Sequence, residues 1–325
     1  MHPRFQLLRL LADGRFHSGR ALGDALGLSR GSVWNLAREL DGLGVEVFAV
    51  RGKGYQLTRA FEPLDADRML VELPLEARSL LADLEVHPSV DSTNRVLHQR
   101  ADQGAPSGTV CLAEHQSQGR GRRGRGWVSP YGANLYASLL WRFDQAPAAL
   151  GPLSVAVGVM IAEALEALGA QGCGLKWPND VLWSGGKLAG VLIEMTGEAT
   201  GPAQAVVGVG LNVAMPDGAG AEIDQPWVDL STVLGRPVDR NVVASAVLAR
   251  LLSGLERFAR EGFAPLRPSW ERLDVACGRP VRVASGAGVL EGECLGLDTD
   301  GALLVASGGR VQRCLSGEVS VRLVA

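Results

Sequence analysis

At 325 residues the chain exceeds one average domain, and its 46% hydrophobic, 21% charged composition is that of a folded globular protein, which argues against disorder. Arg4 and Arg9 interrupt the N-terminal apolar stretch and no apolar run is expected to approach the roughly 20 residues that cross a bilayer, so neither a signal peptide nor a membrane span is expected. Net charge is −3, but residues 1–60 hold nine Lys+Arg against five Asp+Glu, a basic segment on an acidic body, which suggests a nucleic-acid module joined to something else.

In chain order, residues 4–12 carry apolar positions at helical spacing. Ser18 stands where an N-cap opens a second helix, which Gly27 stops. Ser29 opens a third helix through Val33, Leu36, Ala37 and Leu40. Period-two alternation from Val45, the turn Arg51-Gly52-Lys53-Gly54 and a return strand from Tyr55 to Leu57 make a hairpin. Together these predict a winged helix-turn-helix over residues 1–60. Arg30, Ser32, Trp34, Asn35 and Arg38 are its candidate major-groove contacts, with Arg51 and Lys53 on the wing. A helical domain for protein contacts is the competing reading, and Trp34 fits a core position equally well.

Residues 61–83 read as a connector in which Asp65 caps a helix holding Met69 and Leu70. Over 84–273, strands at 84–87, 109–114, 134–141, 175–183, 187–196 and 204–215 alternate with helices at 93–103, 152–168 and 241–261. Hairpin-like neighbours predict a largely antiparallel α+β sheet. Residues 274–325 show short alternating strands between Gly- and Asp-rich turns, the pattern of a small SH3-like β-barrel. The five cysteines are scattered without C-x-x-C spacing and the five histidines lie far apart. Reduced, mostly buried thiols in a cytoplasmic protein are expected, with no metal site.

The most informative stretch is Gln116-Ser117-Gln118-Gly119-Arg120-Gly121-Arg122-Arg123-Gly124-Arg125-Gly126-Trp127. Four arginines within six residues, spaced by glycines, fit neither a helix nor a packed strand. Arginine supplies planar, permanently charged donors for phosphate and carboxylate, so a loop that orders around an anion is expected. The letters G-R-G-R-R-G also match a dinucleotide fingerprint with Asp144 as acidic partner. That motif must open a helix, and Gly126, Pro130 and Gly132 forbid one here. An RNA-binding Arg/Gly tract belongs in long disordered repeats, whereas strands bracket this one.

This loop, with Asp91-Ser92-Thr93-Asn94, Lys176-Trp177-Pro178-Asn179-Asp180, Lys187-Leu188-Ala189-Gly190 and Gly208-Val209-Gly210-Leu211-Asn212, resembles the biotin–protein ligase family. The N-terminal segment resembles the operator-binding domain of the biotin operon repressor type, down to its Gly52-Lys53-Gly54-Tyr55 wing. The resemblance implies biotin and MgATP as substrates, a biotinyl-adenylate intermediate, and transfer to a lysine of the biotin carboxyl carrier protein of acetyl-CoA carboxylase. It also implies operator DNA as a partner and a homodimer when adenylate is bound.

Residue by residue, the resemblance implies catalytic roles for Lys187, Arg122 and Asp180, the last orienting or deprotonating the incoming lysine. Biotin falls to Ser92, Thr93, Asn94, Gln116, Gly119, Arg120, Gly121, Arg122, Lys187, Gly190 and Gly208. The nucleotide falls to Arg120, Arg122, Arg125, Trp127, Lys176, Asn179, Lys187, Asn212, Trp227 and Arg322, with Glu318 beside the last. Magnesium is expected to arrive on ATP. The bland readings are a helix N-cap for Ser92-Thr93-Asn94, a turn aspartate for Asp180 and a core tryptophan for Trp227. The sequence departs from the family in its recognition helix and in Gly126 before Trp127. Three alternatives stay open: a lipoate–protein ligase, a biotin sensor without ligase activity, and a ligase whose winged helix is a catalytic accessory.

Overall fold

A computed structural model describes residues 2–285, 288–315 and 320–323. The N-terminal unit is three helices and a hairpin: α1 (Pro3–Leu11), α2 (Gly19–Leu26), α3 (Arg30–Glu39), β1 (Val47–Val50) and β2 (Gly54–Leu57). Ser18 Oγ accepts from Ala21 N at 3.0 Å and Ser29 Oγ from Ser32 N at 3.1 Å, so both expected caps close helix N-termini. Gly27 has φ 66, the left-handed conformation that ends α2 without a Cβ clash.

The connector is firmly held. α4 (Ala66–Glu72) is capped by Asp65, and α5 (Leu75–Leu80) follows Pro74. Arg240 donates to the Glu62 carbonyl and to Glu114 Oε2, both at 2.7 Å, while Leu64 N donates to Glu114 Oε1 at 2.6 Å. The Arg240–Glu114 pair is buried, where an unpaired partner would be costly.

The central unit is a seven-stranded sheet in the order β3-β4-β5-β9-β8-β7-β6. Its strands are β3 (Asp83–His87), β4 (Thr109–Ala113), β5 (Leu135–Phe143), β6 (Cys173–Lys176), β7 (Asp180–Trp183), β8 (Gly186–Gly197) and β9 (Ala203–Leu211). Only β3–β4 is parallel. The single strand expected at 175–183 is two strands, because the turn through Trp177-Pro178-Asn179 breaks it and Pro178 has no N–H for a ladder. Helices α6 (Thr93–Asp102), α7 (Leu153–Ala167), α8 (Leu230–Leu234), α9 (Arg240–Glu261) and α10 (Arg267–Leu273) complete the unit.

The stretch Pro147–Ala167 corrects one expectation. Within its 21 residues an 18-residue window reaches mean hydropathy 1.8, long and apolar enough to span a bilayer, yet 72% of that window is buried inside the fold, most of the stretch being the core helix α7. Odd positions of β9 (Val207, Val209, Leu211) join the core that includes α7 and α9, whereas Gly208 and Gly210 face the opposite side. That alternation packs one face of the sheet into the main core, while the other is covered by α6 around Val206 and left shallow over Gly208 and Gly210.

The C-terminal unit is a five-stranded antiparallel sheet in the order β13-β12-β11-β10-β14, from β10 (Pro280–Ser285) and β11 (Gly288–Leu297) through β12 (Leu303–Ser307) and β13 (Arg310–Cys314) to β14 (Ser320–Leu323). Among the described residues its edges, β13 and β14, do not pair, so closure of the expected barrel is not part of this pairing. Trp177 Nε1 donates to the Gly301 carbonyl at 3.0 Å and ties this sheet to the central unit.

Candidate functional site

A cavity of about 710 Å³ opens over the shallow face, within the size range of small-molecule sites. Its floor is a glycine patch created by register: Gly190 pairs with Gly210, and Leu192 and Ser138 pair with Gly208 from either side. The glycines make room for side chains as well as ligand. A Cβ at Gly210 would lie 2.4 Å from the Trp127 ring, and one at Gly208 2.3 Å from Asn94 Oδ1. Gly208, expected among the biotin residues, leaves the space that Asn94 fills.

One end of the cavity is lined by short polar groups. Ser92 stands at the N-cap position of α6, but its side chain makes no capping bond. The bland cap reading of its hydroxyl therefore fails, and the residue, 3% exposed, lines the cavity instead. Gln116 Oε1 accepts from Thr93 N at 2.9 Å and from Thr93 Oγ1 at 3.2 Å. Asn94 Nδ2 donates to Glu194 Oε2 at 2.8 Å. Ser138 Oγ lies 2.7 Å from Thr93 Oγ1 and 2.6 Å from Asn94 Oδ1, so a buried network fixes this end.

The arginine-glycine loop forms the lid side. It folds as a tight hairpin: Gly121 N donates to the Arg125 carbonyl at 2.7 Å, Trp127 N to the Gly119 carbonyl at 2.9 Å, and Arg120 bridges Gly126. A single 3-10 turn spans Arg122–Gly124, where only irregular backbone was expected, with Arg123 at φ 58. Gly119, Gly121, Arg122, Arg125 and Trp127 line the cavity. Arg120 lines it too, yet its Nη2 donates to Glu194 Oε2 at 3.0 Å, so a carboxylate holds the place expected for substrate anions. Burial draws the Arg122 pKa down, opposed by the charge of Asp180, and Arg122 Nη1 reaches Asn179 Oδ1 at 3.4 Å.

Lys187, on β8, carries its ammonium into the cavity, 5.4 Å from the Trp127 ring centroid. Its Nζ donates to Asp180 Oδ1 at 2.6 Å, and Lys176 Nζ donates to Asp180 Oδ2 at 3.0 Å. Burial raises the Asp180 pKa, but the two lysines outweigh it and hold the carboxyl below its ordinary value. Asp180 and Lys176 are thus not lining groups. They support Lys187 from behind, and a carboxylate so held is a poor proton acceptor. The reading of Asp180 as a base for the incoming lysine loses ground to the reading of it as an orienting group.

At the other end, Asn212 and Trp227 line the cavity with Asn179. Asn212 Nδ2 donates to the Lys187 and Val228 carbonyls, both at 3.2 Å, so its amide nitrogen is spent on backbone and only its oxygen is left for a ligand. Trp227 is half-buried against the Lys187 backbone rather than in the core. Trp127 Nε1 is buried with no acceptor, an unmet donor at the cavity. Arg322 is not brought to the site: it sits exposed on β14 opposite Arg282. Glu318 lies outside the described residues.

Several residues at the site escaped the sequence reading, among them Ser138, Glu194, Gly210 and Ser129. Ser138 is a polar residue inside the apolar strand 135–143, a signal open to inspection. Glu194 follows an apolar run on β8, and Gly210 sits in the quoted motif. Ser129 Oγ receives Gln116 Nε2 at 3.4 Å, a contact invisible before the loop folds back.

On the N-terminal unit, Val33, Leu36 and Ala37 of α3 are buried and Arg30, Asn35 and Arg38 are exposed, with Ser32 half-buried beside its cap. Arg51 and Lys53 are exposed on the wing, and Lys53 Nζ lies 5.5 Å from the Phe16 ring centroid. Trp34 is 47% exposed, which settles its ambiguity against the core.

Comparison with known proteins agrees with this arrangement. The model of the biotin/lipoate A/B protein ligase family matches residues 86–212, an HTH domain matches 3–56, and the biotin protein ligase C-terminal domain matches 276–322. The chain is similar to the bifunctional ligase/repressor BirA of Salmonella typhimurium, 43% identical over 97% of this chain and 96% of that one. It is also similar to the BirA of Bacillus subtilis, 30% identical over 95% of each chain. Among solved structures it resembles the biotin protein ligase from Aquifex aeolicus in complex with biotin and ATP, with 31% identity and a TM-score of 0.64 over 75% of this chain and all of that one. The chain belongs to the family of bifunctional biotin ligase/repressor proteins.

Proposed function

We propose that the chain joins biotin to a carrier-protein lysine in two steps at this one cavity, and acts through its winged helix as a biotin-responsive repressor. The observation that carries the ligase reading is the convergence of Arg122, Arg125 and Lys187 on a cavity whose other end is a fixed network of short polar groups. Biotin has a polar ureido ring, which needs such groups when buried. Its tail ends in a carboxylate that is already ionised at neutral pH.

In the first step a carboxylate oxygen attacks the α-phosphorus of ATP, the bond to the β-phosphate oxygen breaks, and pyrophosphate leaves. No general base is needed. The barrier is the approach of two anions, which Lys187, Arg122 and Arg125 offset as fixed cations. In the second step the lysine amine attacks the acyl carbon, the acyl–phosphate bond breaks, AMP leaves, and the amine gives up a proton to form the amide. Ser92, Thr93, Asn94 and Gln116 are assigned to the ureido ring. Gly119, Arg120, Gly121, Gly190 and Gly208 are assigned to the rest of biotin. Lys176, Asn179, Trp127, Asn212 and Trp227 are assigned to the nucleotide, with Asp180 holding Lys187. Magnesium enters on the triphosphate. Arg322 keeps a nucleotide role only if its sheet moves toward the cavity.

The domain division we propose is 1–60, 61–83, 84–273 and 274–325. The acceptor we assign is the biotin carboxyl carrier protein of acetyl-CoA carboxylase, and the compartment is the cytoplasm. A homodimer is supported by β8: it pairs with β7 over Gly186–Gly190, meets Asn179 at Val191, and pairs with β9 over 189–197, which leaves one edge of 193–197 without a partner strand among the described residues. Sedimentation of the chain with and without adenylate tests this. The lipoate alternative leaves the polar network of Thr93, Gln116 and Ser138 without a task.

The deciding assay incubates the protein with labelled biotin, ATP, magnesium and a biotin carrier domain. Label on the carrier lysine is expected, and an unlabelled but competent carrier would end the ligase reading. A gel shift on the chain's own upstream DNA, with and without adenylate, tests repression separately.

A further inference from the structure

We propose that Trp34 reads a thymine methyl group in the DNA major groove, held in place by Arg38. This rests on the DNA-binding reading of the winged helix and goes beyond it, because it assigns a base to a residue.

The exposed stripe of α3 is Gly31, Trp34, Asn35 and Arg38, residues three, four and seven apart on one helix face. The opposite stripe of Val33, Leu36 and Ala37 fills the three-helix core, so the exposed one faces away from that core. Trp34 is 47% exposed, whereas Trp141, Trp177 and Trp270 are each at most 7%. What singles Trp34 out from other exposed rings such as Phe48 is its place in the middle of that helix face, flanked by Asn35 and Arg38, where it offers a broad apolar contact area. The Arg38 guanidinium lies 4.9 Å from its ring centroid and shields one side of the indole, leaving the other for contact. Gly31, one turn nearer the helix start, has no side chain to hold that end away from the base edges.

Of the groups that base pairs present in the major groove, the C5 methyl of thymine is the apolar one. From residue 31 to 38 the stripe spans about 10 Å, roughly three base-pair steps. Trp34 lies in its middle, where an apolar surface meets that methyl and polar groups on neighbouring bases fall to Asn35 and Arg38.

The test starts from a randomised DNA library selected with the full-length protein in biotin, ATP and magnesium. Each thymine of the selected site is then replaced by uracil, which lacks only the methyl. We expect one thymine per half-site whose replacement weakens binding by about threefold to fivefold, the scale of one buried methyl group. In Trp34→Ala that same replacement should have no effect, while overall binding is weaker. Uracil tolerated at every position, or an equal uracil penalty in Trp34→Ala, overturns the proposal with DNA binding intact. Recovery of no sequence at all removes the DNA-binding reading itself, and this proposal with it.

Discussion

Lys187 donates from Nζ to Asp180 Oδ1 across 2.6 Å, and Lys176 occupies the other carboxylate oxygen at 3.0 Å. One buried anion thus serves two cations, of which only Lys187 enters the cavity. Removing the anion leaves two ammonium groups facing each other, which disorders the one that matters. Asp180→Asn should lower both pyrophosphate exchange and transfer to the carrier by about tenfold to a hundredfold. Loss of transfer alone, with exchange intact, would restore the reading of Asp180 as a base for the incoming lysine.

The sign of the Asp180 shift sets a pH window. Its folded-state pKa is below the ordinary 3.8, so its pairing contributes stability above that value and is lost only as pH falls beneath it. Between about pH 5 and 8 the pairing is constant. A stability profile of the native chain against Asp180→Asn should show a constant gap across that range and a narrowing one only in stronger acid.

His115 behaves in the opposite range. Burial, with a smaller contribution from Arg4, depresses its pKa below 6.5, and its Nδ1 lies 2.9 Å from Ser89 Oγ. The fold favours the neutral ring, so the unfolded chain takes up a proton first and stability falls as pH drops below about 6.5, levelling once the folded-state pKa is passed. In His115→Gln, chemical denaturation between pH 7.5 and 5.5 should show a flatter profile than the native chain. An unchanged slope would assign the effect elsewhere.

Gly210→Ala should disable adenylate formation while the fold survives. The new methyl would sit 2.4 Å from the Trp127 ring, so the indole must leave the sheet and carry the hairpin of Arg122 and Arg125 with it. A displacement of that size costs about a hundredfold in rate. Pyrophosphate exchange measures the loss, and tryptophan emission should shift red as Trp127 becomes wetter.

Tyr131, four residues past Trp127, inserts into the core of the N-terminal unit. It is 7% exposed, stacks on Phe5 at 6.1 Å and meets Phe61 edge-on at 5.7 Å. Tyr131→Ala should cost about 3 kcal/mol of the packing between the two units. Limited proteolysis near residue 60 should become faster, with the central unit retaining its own melting transition.

By itself the sequence determined the local features that depend on near neighbours. Ser18, Ser29 and Asp65 cap helices where they were expected to, since a cap needs only the next three residues. The strand expected at 204–215 falls on β9, and the order of motifs marked the family. Tertiary structure alone decided what depends on strand order and register. It set Gly190 opposite Gly210 and Ser138 opposite Gly208, gave those gaps to Trp127 and Asn94, and paired Arg120 with Glu194, 74 residues away. It also turned Trp34 outward and Tyr131 inward. Both are aromatic residues in locally ambiguous patterns, and only the packing of the three helices around a common core distinguishes their places.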